Sequence, residues 1–338
     1  MTTTETDRTA GKLPLGGVRV LDLTHVWSGP MATRVLTGLG AEMIKLESPQ
    51  RPDMLRGPGS SDLPLRYPDL DHGADPYNRN AWFNTQNTGK RDVVLDLKDR
   101  EGLALARRLV AVSDLVIANY RPGVLDRMGL GFEALRQIKP DIVLVEMPGY
   151  AAGTPQASAP AFGAQFDANS GSATLTGDDE CPLLTGYALG DPAAGLFAAA
   201  AAVSALVKHR RTGNGGHVIL PQSESMMPLL GEYYLAESAG EPIVEGLNAD
   251  RRCVPHGIYR TGDDRWIAIA VQDDAQWQTF AQRLHDTDPG IGSRFPTVTD
   301  RRAHADAIEK TISAWAASIS DPTTTARSLQ ADGVPSAP

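Results

Sequence analysis

The chain has 338 residues, 41% of them hydrophobic and 22% charged, with a formal net charge of −9. That length suffices for two domains with cores of their own, and the acidic balance excludes a general nucleic-acid or anionic-membrane binder, which needs a broad basic face. Cys181 and Cys253 are the only cysteines, so neither a disulfide framework nor a cysteine-based metal site is expected.

Residues 1–12 are polar and contain acids, unlike a signal peptide, and are expected to form a disordered tail on a cytoplasmic protein. Strand-like and helical runs then alternate. Val18–Thr24, Glu42–Glu47, Val93–Leu97, Leu115–Asn119 and Ile142–Met147 are rich in β-branched and aliphatic residues, and Met31–Leu39, Arg100–Ala111 and Phe132–Ile138 have helical composition. This rhythm predicts an α/β fold with a doubly wound, mostly parallel sheet in a large Rossmann-like domain over 13–225. The Pro/Asp/Arg-rich stretch Pro49–Asn80 reads as a long ordered loop, too long to be idle in a compact domain. Beyond Ser225 the pattern becomes that of a smaller α+β domain over 226–338. Two strands flank a Gly-Asp-Asp turn within Gly257–Val271, helices follow at Ala275–Leu284, Arg302–Ala317 and Pro322–Gln330, and a loop-like end runs over 331–338.

The run GYALGDPAAGLFAAAAAVSALVKHRR begins at Gly186. Asp is a favoured N-cap, Pro192 suits the first helical position, and alanine and leucine carry a helix to Val207, with Lys208–Arg211 beside its negative end. The composition predicts a buried helix capped by Asp191, which ends too early and is too weakly hydrophobic to cross a membrane. On these residues alone, capping outweighs catalysis as the role of Asp191. There is no G-x-G-x-x-G after a strand, no Walker loop, no G-x-S-x-G, and no zinc-like spacing among the histidines. What remains is a set of loops following strands, where ligands bind in open α/β sheets. They are His25-Val26-Trp27-Ser28-Gly29-Pro30, Asn119-Tyr120-Arg121-Pro122-Gly123 and Pro148-Gly149-Tyr150. Arg121 and Arg127 suit phosphate and Tyr120 suits a flat ring, although composition alone favours a βα turn with a solvated arginine.

In order, GVRVLDLTHVWSGPMATRVLTGLGAEMIKLE, GKRDVVLDLKDREG, SDLVIANYRPGVLDRMGLGFEALRQIKPDIV, TGYALGDPAAG and RRTGNGGHV resemble the class III CoA-transferases. That group includes formyl-CoA:oxalate and carnitine CoA-transferases and the α-methylacyl-CoA racemases. The resemblance covers roughly Leu15–Pro338. It implies a CoA-transferase that moves CoA from an acyl-CoA donor to a carboxylic acid, with CoA or acyl-CoA as substrate rather than resident cofactor. Asp191, within Gly190-Asp191-Pro192-Ala193-Ala194-Gly195, matches the family's nucleophile, and its helix N-terminus is expected to keep it ionised at little cost. By the same resemblance, Asn119, Tyr120, Arg121, Arg127 and Met128 occupy the nucleotide-contacting loop. Leu95 and Lys98 fall near the adenine and 3′-phosphate, and Val26 and Trp27 beside the thioester.

Three departures stand out. Trp27 replaces a common Gln, Gly163 falls where the formyl-CoA transferases carry Glu, and Phe162-Gly163 stands where the racemases place His-Asp. Transferase therefore ranks above the alternatives, an acyl-CoA racemase or isomerase and a non-catalytic CoA-binding protein. The family resemblance also implies an interlocked homodimer. The chain ends at Pro338, short of the C-terminal return segment that family members carry, and that end weighs against the dimer. No metal, nucleic-acid or membrane partner is expected.

Overall fold

The computed structural model describes residues 13–57, 64–177, 181–240, 250 and 252–338; the tail expected over 1–12 lies outside them. Short aliphatic runs pair into a six-stranded parallel sheet: β1 (Arg19–Asp22), β2 (Glu42–Glu47), β3 (Arg91–Val94), β4 (Leu115–Ala118), β5 (Val143–Glu146) and β6 (Gly216–Ile219). The strand order is 3-2-1-4-5-6, with Leu21 level with Ile44 on one side and Val116 on the other. The order of strand addition reverses between β1 and β4, the switch point beside which ligands bind at strand C-termini in open α/β sheets.

Successive strand residues face opposite ways. Val20, Met43, Leu115, Ile117 and Val143 pack under α1 (Ser28–Gly38) and α7 (Gly190–Thr212). Leu21, Leu46, Val116 and Leu144 pack under α3 (Arg100–Ala111), α4 (Val124–Arg127) and α5 (Phe132–Ile138). Helices thus cover both faces, as a parallel sheet requires. Two further short helices bear on the site, α2 (Ala81–Gln86), inside whose approach lies the stretch read as a loop, and α6 (Gly163–Asn169).

The strand expected at Val93–Leu97 lies two residues earlier, because Leu95 N–H closes the ladder on Glu47 O and Asp96 then turns the chain by accepting from Lys98 N–H. β6 carried no readable signal: a short edge strand beside paired glycines, it is only half-buried. α7 has 23 residues and by length and composition is apolar enough to cross a membrane, contrary to the sequence expectation, because the helix already starts at Gly190 and continues unbroken past Val207. Its Ala194, Ala198, Ala202 and Leu206 are packed into the sheet core. It approaches α1 so closely at Gly195 that a Cβ there would stand 2.7 Å from Ser28 O.

The chain forms two compact units, Met1–Ala173 with Leu184–Ala239, and Thr174–Leu183 with Gly240–Pro338. The division therefore falls after Ala239 rather than after 225. Met226 is buried against Phe166 and Ala193, and the Tyr234 hydroxyl donates to Ser170 O at 2.9 Å, which ties this segment to the larger unit.

In the second unit β7 (His256–Arg260), β8 (Trp266–Ala270) and β9 (Ser336–Ala337) form an antiparallel sheet. Ile267, Ile269 and Tyr259 pack on Trp277 and Phe280 of α8 (Asp274–Arg283), Ile308 and Ile312 of α9 (Ala305–Ala316) and Leu329 of α10 (Pro322–Ala331). The end read as a loop becomes an edge strand: Val334 is buried and Ala270 N–H finds Pro335 O at 3.0 Å, which satisfies backbone that would otherwise be unpaired.

Candidate active site

The loop from β1 to α1 holds the first part of the site. Val26 has φ 67°, a left-handed conformation that is costly for a β-branched residue and persists only where neighbours enforce it. Its N–H donates to Asp53 Oδ2 at 3.0 Å, while Asp53 Oδ1 accepts from Leu55 N–H at 3.0 Å. Asp53 is fully buried and faces Lys45 Nζ at 3.7 Å, and Lys45 donates to Thr24 O at 2.6 Å. Next to it, Asp22 accepts from Lys90 Nζ at 2.9 Å, Thr33 Oγ1 at 2.8 Å and Thr24 N–H at 2.8 Å. Burial alone would raise the Asp22 pKa; Lys90 and Lys45 overcome it and bring the value down to about 2. Two buried ion pairs thus hold the strained loop from beneath.

Asp191 lies in the first turn of α7 and is 9% exposed. It is not the helix cap. Asp167, on α6, accepts from Leu189 N–H at 3.0 Å and Gly190 N–H at 2.7 Å, satisfying the orphan donors at the start of α7. Asp191 Oδ2 instead accepts from Gly163 N–H at 3.1 Å, and the Ser28 N–H at the start of α1 also acts on it. Burial lifts its pKa to about 6; the Gly163 and Ser28 N–H groups oppose the rise and the Asp167 charge adds to it. The expectation that the helix N-terminus keeps this group ionised at little cost is therefore corrected: desolvation outweighs the local N–H groups. A Cβ at position 163 would sit 2.5 Å from Asp191 Oδ2, so glycine is required for this contact.

A cavity of about 720 Å³ opens onto Asp191. It is lined by Val26 and Trp27 of the first loop, by Asp53, Arg56 and Arg66 from the long stretch after β2, by Trp82, and by Phe162, Gly163, Tyr187 and Ala188. Trp27 meets Trp82 edge to face with centroids 5.5 Å apart, and Arg66 lies 4.7 Å over the Trp82 ring. Of the other residues expected at the site, the structure gathers fewer around Asp191. Asn119 bonds both His25 N–H (2.9 Å) and His25 O (2.8 Å), locking the β4 loop to the β1 loop. The Tyr120 hydroxyl is 3.2 Å from His25 Nε2, and burial raises its pKa to about 12. Arg121 is exposed and donates to Ser158 O at 2.8 Å. Lys98 and Arg127 are exposed, Met128 is half-buried, and Leu95 leans on the core. These seven residues follow β3 and β4 along the C-terminal edge of the sheet and do not line the Asp191 cavity. Among the described residues no group of His, Cys, Asp and Glu is placed to hold a metal.

Sequence reasoning missed Asp53, Asp167, Arg66 and Trp82. Asp167 is 22 residues from the N–H it caps, which no local signature reveals.

A doubly wound sheet with a buried carboxylate in a cavity beside its strand C-termini defines an α/β protein of the ligand-converting kind. Within that class the chain belongs to CoA-transferase family III, whose model matches residues 15–338. It is 32% identical over 310 residues to the succinyl-CoA–D-citramalate CoA-transferase of Chloroflexus aurantiacus, covering 89% of this chain and 72% of that one. It is 31% identical to the succinate–glutarate CoA-transferase of Agrobacterium fabrum, covering 91% of this chain and 76% of that one. Among solved structures, a CAIB/BAIF family protein from Brucella suis superposes with a TM-score of 0.79 at 29% identity, over 96% of this chain and 84% of that one. The chain is thus a CoA-transferase, an enzyme whose relatives pass CoA to carboxylic acids.

Proposed function

We propose that CoA passes from an acyl-CoA donor to an acceptor acid through Asp191. The observation that carries this is the freedom of its carboxylate: Asp167 does the capping, no cation pairs with Asp191 among the described residues, and Asp191 lines the cavity. An Asp191 oxygen attacks the thioester carbonyl carbon, the C–S bond breaks, and CoA leaves as the thiolate. The thiolate adds to the Asp191 carbonyl carbon of the mixed anhydride, whose C–O bond breaks to release the donor acid and leave an aspartyl thioester. The acceptor carboxylate then displaces the thiolate, which returns to the acceptor's acyl carbon and frees Asp191. Each hard exchange is split into easier steps. With a pKa of about 6, Asp191 is mostly ionised at pH 7 while poorly solvated, which favours attack. The N–H groups of Gly163 and Ser28 are fixed where its oxygen carries charge.

The CoA phosphates fall to the exposed cations of the sheet edge, Lys98, Arg121 and Arg127, in this reading. Phe162 offers no proton acceptor at the cavity, which favours transfer over racemisation in this reading. Asp191→Asn should bind CoA and lose exchange. Hydroxylamine with acyl-CoA should convert Asp191 of the wild type to a hydroxamate, read by peptide mass spectrometry. Full turnover by the Asn variant would overturn the reading.

A further inference from the structure

We infer that Asp53 is a positioning residue: by clamping Val26 in its left-handed conformation it sets the Ser28 N–H against Asp191. Its bearing on transfer rests on the CoA-transfer reading of Asp191.

Helix α1 begins without help from its own cap position, where Trp27 supplies no side-chain hydrogen bond. The first N–H groups of such a helix need acceptors from elsewhere. Asp191 is one, receiving the Ser28 N–H although it belongs to another helix. The two helix starts are in contact there. A Cβ at Gly195, one turn on from Asp191, would stand 2.7 Å from Ser28 O and 2.8 Å from Met31 Cβ. A small rotation of the chain before Ser28 therefore changes what Asp191 receives.

Val26 controls that rotation. His25 before it is tied through both its N–H and its O to Asn119, and Trp27 O after it accepts from Met31 N–H at 2.8 Å. Between these fixed points Val26 holds φ 67°, a region that a β-branched residue leaves unless its neighbours forbid it. Asp53 is that neighbour. Its Oδ2 accepts from Val26 N–H at 3.0 Å and stands 3.7 Å from Lys45 Nζ, while Oδ1 accepts from Leu55 N–H at 3.0 Å. Its own backbone is anchored, the N–H to Glu47 Oε1 at 3.4 Å and the O from Arg56 N–H at 2.8 Å. Two N–H groups and an ammonium on opposite oxygens call for a carboxylate. An amide offers one acceptor and turns donors on the other group.

Asp53→Asn keeps the size of the side chain and breaks the clamp. It should lower kcat about 10–100-fold, since small misplacements near a reacting group are that expensive, and keep CoA affinity. The acid limb of the kcat/KM profile should move up in pH, because the Ser28 N–H that lowers the Asp191 pKa is lost. The direction is diagnostic: removing a negative charge would by itself move the limb down. Val26→Gly completes a double-mutant cycle, because glycine adopts φ 67° without a clamp. In that background Asp53→Asn should cost about twofold or less in kcat, a comparison that stands even where Asp53→Asn alone does not fold. A tenfold loss in the glycine background, a limb that stays or moves down, or lost CoA affinity would overturn the inference. Carbon-13 NMR titration of the Asp191 carboxyl, its signal identified by loss in Asp191→Asn, reads the link without turnover. A raised Asp191 pKa in Asp53→Asn, in a protein that transfers CoA to no acid, would refute the transfer reading and uphold this one. An unmoved pKa, in a protein whose Asp191 is trapped as the hydroxamate, would do the reverse.

Discussion

Asp22 and Asp191 are both buried carboxylates beside α1, and their surroundings drive them apart. Asp22 is gripped by Lys90, backed by Lys45, and held at a pKa of about 2. Asp191 has only N–H donors and a neighbouring carboxylate, and its pKa rises to about 6. A structural carboxylate takes a cation, which neutralises it and locks its geometry. In the proposed reading Asp191 attacks and is released, and N–H groups serve such a carboxylate better than a paired cation, which would neutralise it. Pairs of titratable groups whose environments push their pKa values apart often mark a division of roles.

The largest expected effect breaks the Asp22 side. Lys90→Met leaves Asp22 buried and unpaired and should destabilise the large unit by about 3–5 kcal/mol, measured by urea denaturation. The pH dependence follows from the sign of the shift. Asp22 is lowered from 3.8 to about 2, so its stabilisation is fully present above pH 3.8 and is lost as pH falls through 2. Unchanged stability in Lys90→Met would erase the contrast.

Gly163→Ala presses a methyl group on Asp191 Oδ2 and should lower kcat by about 100-fold, with CoA affinity kept, since small misplacements of a reacting group are that expensive. This also removes one route to an engineered racemase: a side chain at 163, such as the Asp of the racemase pair, would displace the carboxylate it is meant to assist.

Asp191→Asn should stabilise the protein while inactivating it. The folded pKa of about 6 lies above the unfolded 3.8, so the protonated group is fully accommodated below pH 3.8 and stability falls as pH rises toward 6. Removing the charge should return roughly 1–3 kcal/mol at pH 7 and nothing near pH 3. Thermal melts of both proteins at the two pH values test it.

The smallest effect sharpens the comparison. Asp167→Asn keeps an oxygen for one helix N–H but removes the charge beside Asp191. The acid limb of the pH profile for kcat/KM should move down, by less than a pH unit, because the larger cause, burial, remains. An unmoved limb with reduced stability would make Asp167 a cap alone.

Much of the fold was legible because it is local. β2 falls at Glu42–Glu47 as read, and β4 and β5 lie within their expected runs, since aliphatic strands in a buried parallel sheet announce themselves by composition. Asp191 was legible as the charge at the mouth of an alanine-rich helix. Its freedom from capping was not, and neither was the presence of Arg66 in the lining of the same cavity. Arg66 sits in a stretch whose composition reads only as a long loop, and its place over the Trp82 ring is visible only in the fold.

The sequence by itself determined the alternation of strands and helices, because this rests on periodicity and short-range propensity; the motif around Asp191 was read through its family resemblance. Tertiary structure decided which carboxylate caps α7, which receives a lysine, and which is left to face the cavity. Those choices depend on partners 22 to 68 residues apart, brought together by the sheet order, and a buried charge takes its properties from the neighbours that folding supplies.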